Sequence, residues 1–152
     1  VSTMPAPVDI DSLQIASEEP NFINRGDTTF QRFRCYFKDP AGIGNFYQAQ
    51  AIVNGKLMDS VQNISVLSDK YVDGIEVEMR IRGVSANSGD SVQVNLMCID
   101  AANYDYFTVL RSLSRSNPVS TAVPQNPPTN IQGGAIGYFS ARPVRSQTIF
   151  VP

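Results

Sequence analysis

Carboxylates are the side chains that could do chemistry in this chain, because its 152 residues include 14 acidic residues and no histidine. Histidine is the commonest general base and the commonest metal ligand. Catalysis would therefore need two carboxylates facing each other across a cleft. The acidic pairs Asp9/Asp11 and Glu76/Glu78 are instead expected to be surface groups. No catalytic residue is predicted, and the protein is predicted not to be an enzyme.

Metal and cofactor sites are not predicted either. Asp69 and Asp73 lie four apart in a polar connection, but a calcium loop needs more oxygen ligands at set intervals. The two cysteines, Cys35 and Cys98, are too few for a zinc site and are either small buried hydrophobes or a disulfide pair. The glycine-rich segment 133–137 lacks the Lys-Ser/Thr ending of a phosphate loop. The sequence thus predicts no metal and no cofactor.

Ligand binding has two candidate sets of residues. Because the chain has no tryptophan, tyrosines are the side chains that could stack on a sugar, and the candidate contacts are Tyr47, Tyr71 and Tyr138. Arg25, Gly26 and Asp27 form the tripeptide that adhesion receptors recognise on exposed loops, although a polar turn is the favoured interpretation. A net charge of −2 argues against nucleic acid as a partner.

The elements that must position these groups are predicted to be mostly strands. Three segments alternate apolar and polar residues, which is the period of a half-buried strand. Their inward positions are Phe33, Cys35 and Phe37; Ile75, Val77, Met79 and Ile81; and Val92, Val94, Leu96 and Cys98. Asn54-Gly55 predicts a hairpin turn that joins a strand over 46–53 to a strand over 61–67.

One helix is predicted from Asp100 to about Leu113, with Asp100 as its cap and an apolar face that covers a sheet. The glycine-rich stretch 130–141, which passes close beneath this helix, and the segment 144–151 are predicted to be the two final strands. Residues 1–8 are predicted to be a linker from a missing N-terminal domain, and 9–152 a single β-rich domain. The predicted fold is mainly β: an antiparallel β-sandwich or partly open barrel with one α-helix packed on it.

Four stretches, in this order, resemble one family. They are Asp39-Pro40-Ala41-Gly42 running on to Asn45-Phe46-Tyr47; Ser68-Asp69 running on to Asp73-Gly74; Gly89-Asp90-Ser91-Val92 running on to Tyr104-Asp105-Tyr106-Phe107; and Asn130-Ile131-Gln132-Gly133-Gly134 through Gly137-Tyr138-Phe139-Ser140-Ala141. The chain is similar to the C-terminal domain of Bacteroidetes-type uncharacterised outer-membrane lipoproteins, domain-of-unknown-function family 4249.

The resemblance implies a location and no specific activity. It implies an exported protein at the outer membrane or cell surface of a Gram-negative bacterium, held by a lipid anchor that this chain lacks. The expected function is a non-enzymatic accessory or ligand-binding module of TonB-dependent nutrient uptake. Its expected partners are a TonB-dependent receptor or another outer-membrane protein, and a glycan or peptide ligand. A structural or cell-adhesion surface protein is the alternative, and a carboxylate-based hydrolase is the third hypothesis.

Overall fold

A computed structural model describes residues 4–17, 31–115, 128–129, 131, 133 and 137–152. The elements in chain order are β1 (Ser12–Ser17), β2 (Gln31–Lys38), β3 (Phe46–Val53), β4 (Lys56–Leu57), β5 (Ser65–Ser68), β6 (Glu76–Ile81), β7 (Ser91–Ile99), α1 (Ala101–Arg115) and β8 (Val144–Phe150). Two 3₁₀ turns, Val61–Asn63 and Asp69–Tyr71, lie before and after β5. Among the described residues, no helix is long and apolar enough to cross a membrane.

The strands form two antiparallel sheets. The three-stranded sheet has the order β1-β2-β6, and the five-stranded sheet has the order β4-β3-β7-β8 with β5 also paired to β3. One edge of β3 therefore carries two short strands in succession, because Phe46–Ala49 pair with β5 and Ile52–Val53 pair with β4. The predicted β-sandwich is confirmed, and the described residues form no closed barrel.

The core fills the space between the sheets with the inward residues that alternation predicts. In β2, Cys35 and Phe37 are fully buried, and they lie opposite Met79 and Val77 of β6. The five-stranded sheet supplies its own inward row, which consists of Tyr47, Ala49, Ala51 and Val53 from β3 and Val92, Val94, Leu96 and Cys98 from β7. Both cysteines are free and buried, so they act as small core hydrophobes.

Helix α1 covers the outer face of the five-stranded sheet, as its apolar face predicts. Asp100 caps it, since the Asn103 backbone N–H donates to Asp100 Oδ1 at 2.8 Å. Phe107 packs with Met97 and Ile99, which are buried on the side of β7 that faces away from the sandwich core. The domain therefore has three layers: a small sheet, a larger sheet and a helix.

Three details differ from the sequence predictions. Ile75 is 54% exposed because it closes a turn, its N–H donating to Val72 O, and β6 begins only at the next residue. The predicted strand 61–67 is instead a 3₁₀ turn followed by β5, since the chain leaves the β3 edge after β4. The described residues of 131–141 form no strand.

The N-terminal residues of the described part lie against the domain. Val8 and Ile10 pack against the core from outside any strand, and the Asp11 N–H donates to Tyr36 O at 2.9 Å. These contacts join the segment before β1 to the edge of β2.

Candidate functional site

A cavity of about 700 Å³ opens where β2 begins and β6 ends. Its lining is mostly polar and includes Arg32, Arg80 and Arg82, and the buried core residues Phe33 and Ile81 border it. Alternation explains part of this arrangement, because the residues next to each inward side chain on a strand point outward. We call this cavity the arginine pocket. Its volume falls within the roughly 300–1,000 Å³ typical of small-molecule sites.

The rim of the arginine pocket is fixed by polar contacts between β6 and the segment that leads into β5. The Arg82 backbone N–H donates to Ser65 Oγ at 3.0 Å, and Asn63 Nδ2 donates to Gly83 O at 3.5 Å. Gly83 has φ +66°, and a Cβ atom there would lie 1.7 Å from Asn63 Oδ1. Glycine is favoured at this position because its φ is positive, and a side chain there would also have to displace the Asn63 amide.

The chemistry of the arginine pocket favours an anion. Gln62 and Asn63 add amide groups to the three arginines, and no carboxylate lies among its described lining residues. Arginine presents paired N–H donors that match a carboxylate or phosphate group in a fork geometry. The arrangement could therefore bind an acidic group.

A second polar constellation lies at the opposite end of β2 and β6. Asp39 follows β2, whereas Asp69 and Asp73 lie between β5 and β6, and one carboxylate oxygen from each comes within 4.8 Å of the others. Asp39 is 1% exposed, Asp69 is 0% exposed and Asp73 is exposed. We call these three side chains the aspartate cluster. It lies where the chain passes between the two sheets, at the connections 39–45 and 69–75.

Asp39 is held by one side chain and one backbone group. The Tyr47 hydroxyl donates to Asp39 Oδ1, and the Gly74 N–H donates to Asp39 Oδ2 at 2.9 Å. Burial, and then the hydrogen bond to Asp39, raise the pKa of Tyr47 well above its ordinary value, so its hydroxyl keeps its proton and remains a donor. This contact joins the end of the three-stranded sheet to β3 of the other sheet.

Backbone amides of the first connection bind the other two aspartates. The N–H groups of Gly44 and Asn45 both donate to Asp69 Oδ2 at 2.8 Å, and the Gly42 N–H donates to Asp73 Oδ1 at 2.6 Å. Asp69 Oδ1 is buried and has no hydrogen-bond partner. The aspartate cluster thus binds the two connections together and leaves one buried carboxylate oxygen unsatisfied.

Comparison with known proteins places the chain in a family. A family model described as "Domain of unknown function (DUF4249)" matches residues 1–148, which is nearly the whole chain. The chain belongs to the DUF4249 family. This confirms the family that the four sequence stretches indicated. No curated protein and no solved structure matches the chain.

The structure separates the three tyrosines predicted as ligand contacts in this DUF4249 domain. Tyr47 is 1% exposed and belongs to the core, whereas Tyr71 is 85% exposed on the 3₁₀ turn beside the aspartate cluster. Tyr138 is half-buried, with its ring centroid 4.8 Å from that of Phe107 in α1. Only Tyr71 offers a large free face for stacking. The tripeptide Arg25-Gly26-Asp27 lies outside the described residues.

Sequence reasoning predicted neither constellation in the DUF4249 domain, although it considered Asp69 and Asp73 as calcium ligands and rejected them. The stretches 39–47 and 68–74, which carry the family resemblance, are the two that meet in the aspartate cluster. A usable signal was present, since each stretch places an aspartate at a strand end and the two sheets of a sandwich bring strand ends together. The arginine pocket had a weaker signal, because Arg80 and Arg82 resemble an ordinary solvated face.

Proposed function

We propose that this DUF4249 domain is a non-enzymatic ligand-binding module of an exported outer-membrane lipoprotein, acting as an accessory in TonB-dependent nutrient uptake. Its ligand is a glycan or peptide that carries carboxylate groups, bound in the arginine pocket. The observation that carries the proposal is a lining of three arginines and two side-chain amides, with no carboxylate among its described residues, around one cavity of about 700 Å³. Polar groups that converge in a cavity fix the orientation of a ligand.

The distribution of acidic residues supports a binding role over hydrolysis. The chain has no histidine, and Asp39, the member of the aspartate cluster that follows β2, is seven residues along the chain from Arg32. At the rise of a β-strand, this separation is about 23 Å. The aspartate cluster is therefore too far from the arginine pocket to supply an acid/base pair there. The pocket has donors for an anion but gains no catalytic carboxylates from this cluster.

Calorimetric titration of the purified chain tests the ligand class. An oligogalacturonate and an oligoglutamate peptide serve as acidic probes, and a neutral oligosaccharide and an oligoglutamine peptide of the same lengths serve as their controls. We expect at least one acidic probe to bind, more weakly at higher salt because ions screen the interaction, and both neutral probes to fail. Absence of binding by both acidic probes refutes the proposal.

Two variants locate the site. Arg80→Gln removes one guanidinium from the residues that line the arginine pocket, and we expect it to weaken binding of the acidic probe at least about tenfold, since charged hydrogen bonds contribute about 1.5–3 kcal/mol. Lys56→Gln removes the same charge from the exposed strand β4, outside the pocket, and should leave binding unchanged. Equal affinities of the two variants would place the ligand elsewhere.

Affinity capture tests the proposed partner. The full-length protein, with its anchor, is cross-linked in intact outer membranes and recovered, and the captured proteins are identified. We expect one TonB-dependent receptor to be recovered specifically, and not from cells in which the gene for that receptor is deleted. Repeated capture without any such receptor would remove the uptake part of the proposal while leaving ligand binding to the calorimetric test.

A further inference from the structure

The aspartate cluster contains a buried acceptor that the protein itself does not satisfy. Asp69 is 0% exposed, and while its Oδ2 accepts two backbone N–H groups, its Oδ1 has no hydrogen-bond partner. A buried carboxylate oxygen without a partner is costly, because it has lost its hydration and gained nothing in exchange. An oxygen of Asp69 lies within 4.8 Å of an oxygen of Asp39 and of Asp73.

The described residues form no ion pair with the aspartate cluster. Their ion pairs join Arg34 to Glu78 and Arg145 to Asp9. The nearby Lys70 directs its ammonium group over the Tyr71 ring, 5.4 Å from the centroid. Within the described part of the chain, the groups that contact the three aspartates are backbone amides and the Tyr47 hydroxyl, which contribute only partial charges.

We propose that Asp39, Asp69 and Asp73 bind one Ca²⁺ ion. Calcium takes 6–8 oxygen ligands at about 2.3–2.6 Å, so oxygens that share one ion lie up to about 4.6–5.2 Å apart, which accommodates the 4.8 Å limit of this cluster. Magnesium binds at about 2.0–2.1 Å in strict octahedral geometry, so oxygens that share one Mg²⁺ ion lie at most about 4.0–4.2 Å apart, and it is less tolerant than calcium of carboxylates supplied by two separate connections. The site lies beyond the arginine pocket and is independent of its ligand.

Each aspartate has ligand capacity left in this arrangement. Asp69 Oδ1 is unoccupied by any donor, and the hydrogen bond from Gly42 to Asp73 uses only Oδ1 of that carboxylate. The two oxygens of Asp39 accept one hydrogen bond each, which leaves a lone pair on each for a metal. Asp73 is exposed, so water can complete the coordination shell and the ion can reach the site from that side.

The bound ion would strengthen the junction between the sheets. It would coordinate an aspartate of the connection that follows β2 together with two aspartates of the connection between β5 and β6. Ca²⁺ that binds only the folded state raises its stability by mass action. At a concentration about 100 times the dissociation constant, the melting temperature should rise by roughly 5–10 °C in a domain of this size.

Thermal unfolding of the purified, chelator-treated chain tests this proposal, with Ca²⁺ or Mg²⁺ titrated to about 10 mM, above the dissociation constants of about 0.1–1 mM found in extracellular modules. We expect the melting temperature to rise with Ca²⁺ and to return to its starting value when excess chelator is added. Tb³⁺, which replaces Ca²⁺ at oxygen sites, should give luminescence sensitised by tyrosine, since Tyr47 is hydrogen-bonded to a ligand. No rise with Ca²⁺, or an equal rise with Mg²⁺, overturns the assignment.

A matched pair of variants links the effect to the aspartate cluster. Asp73→Asn changes the exposed member, which is the substitution that least disturbs folding, and should weaken Ca²⁺ binding at least about tenfold. Asp59→Asn removes the same charge from an exposed residue outside the cluster and should retain the full response. Asp69→Asn should abolish the response where the variant folds. Equal responses of Asp73→Asn and Asp59→Asn would refute the site.

Discussion

The buried hydroxyl of Tyr47 provides a direct test of how the two sheets are joined. Tyr47→Phe removes only the oxygen that donates to Asp39 Oδ1 and leaves the ring in place, where its centroid lies 4.6 Å from that of Phe37. Because the ring packing is retained, the loss of folding stability should come almost entirely from the missing hydrogen bond. Asp39 is 1% exposed, so solvent cannot supply a replacement from the surface.

The expected cost follows from the charge and burial of the acceptor. A hydrogen bond to a charged group contributes about 1.5–3 kcal/mol, and a buried acceptor left unsatisfied costs a similar amount. We therefore expect Tyr47→Phe to lower the free energy of unfolding by about 1.5–3 kcal/mol. At about 2–4 °C per kcal/mol for a chain of this length, the melting temperature should fall by roughly 3–12 °C.

Urea unfolding followed by circular dichroism, in buffer with a chelator, measures this cost. The control is Tyr36→Phe, because the Tyr36 hydroxyl also donates to a carboxylate, Glu78 Oε2 at 3.0 Å, but in an exposed position. We expect the control to cost less than about 0.5 kcal/mol. Should Tyr47→Phe also cost less than 0.5 kcal/mol, or should the two variants cost the same, the argument from burial would be refuted.

Two further predictions concern the core and the turns. Burial, and then the charge of Asp11, raise the pKa of the Cys35 thiol from 9.0 to about 12. The folded state therefore favours the protonated thiol, and the stability that this gives is complete below pH 9 and is lost as the pH rises toward 12. In urea titrations across this range, Cys35→Ala should lose stability less steeply than the parent, and parallel slopes would contradict this. Gly55 has φ +80° with open space around it, so Gly55→Ala should cost about 1–2 kcal/mol from the backbone alone. Gly83→Ala should cost more in the same assay, because the new methyl group must also displace Asn63, and an equal cost would count against that clash.

The strands and the helix could be predicted because local pattern determines them. Phe33, Cys35 and Phe37 alternate with polar residues, and the structure buries all three on one face of β2. Asn54-Gly55 predicts a turn because both residues tolerate positive φ, and they have φ 48° and 80° between β3 and β4.

The remaining features depend on contacts between distant parts of the chain. Met97 and Ile99 break the alternation of β7, and only the position of α1 explains why both faces are buried there. Gln48 resembles an outward polar residue, yet it is 2% exposed and accepts a hydrogen bond from Arg142, 94 positions later. Local pattern does not encode such pairings.

The aspartate cluster was missed for the same reason, although the position of Asp39 and Asp69 at strand ends was a usable signal. Asp39 accepts from Gly74, which lies 35 residues later, and Asp69 accepts from Gly44, which lies 25 residues earlier. Each aspartate by itself has the character of a turn-forming residue, because such residues bind nearby backbone groups. Their proximity becomes visible only once β2 and β6 pair and bring both connections to the same end of the sandwich.

The two connections at the aspartate cluster also set how the domain opens. The chain leaves the three-stranded sheet after β2, returns to it before β6, and is bound at one point on both passages. The two sheets cannot separate while the hydrogen bonds of the aspartate cluster are intact, so partial opening of one sheet is suppressed. Amide hydrogens of β3 and β6, though in different sheets, should then exchange with solvent through one cooperative transition, as in a single unfolding unit.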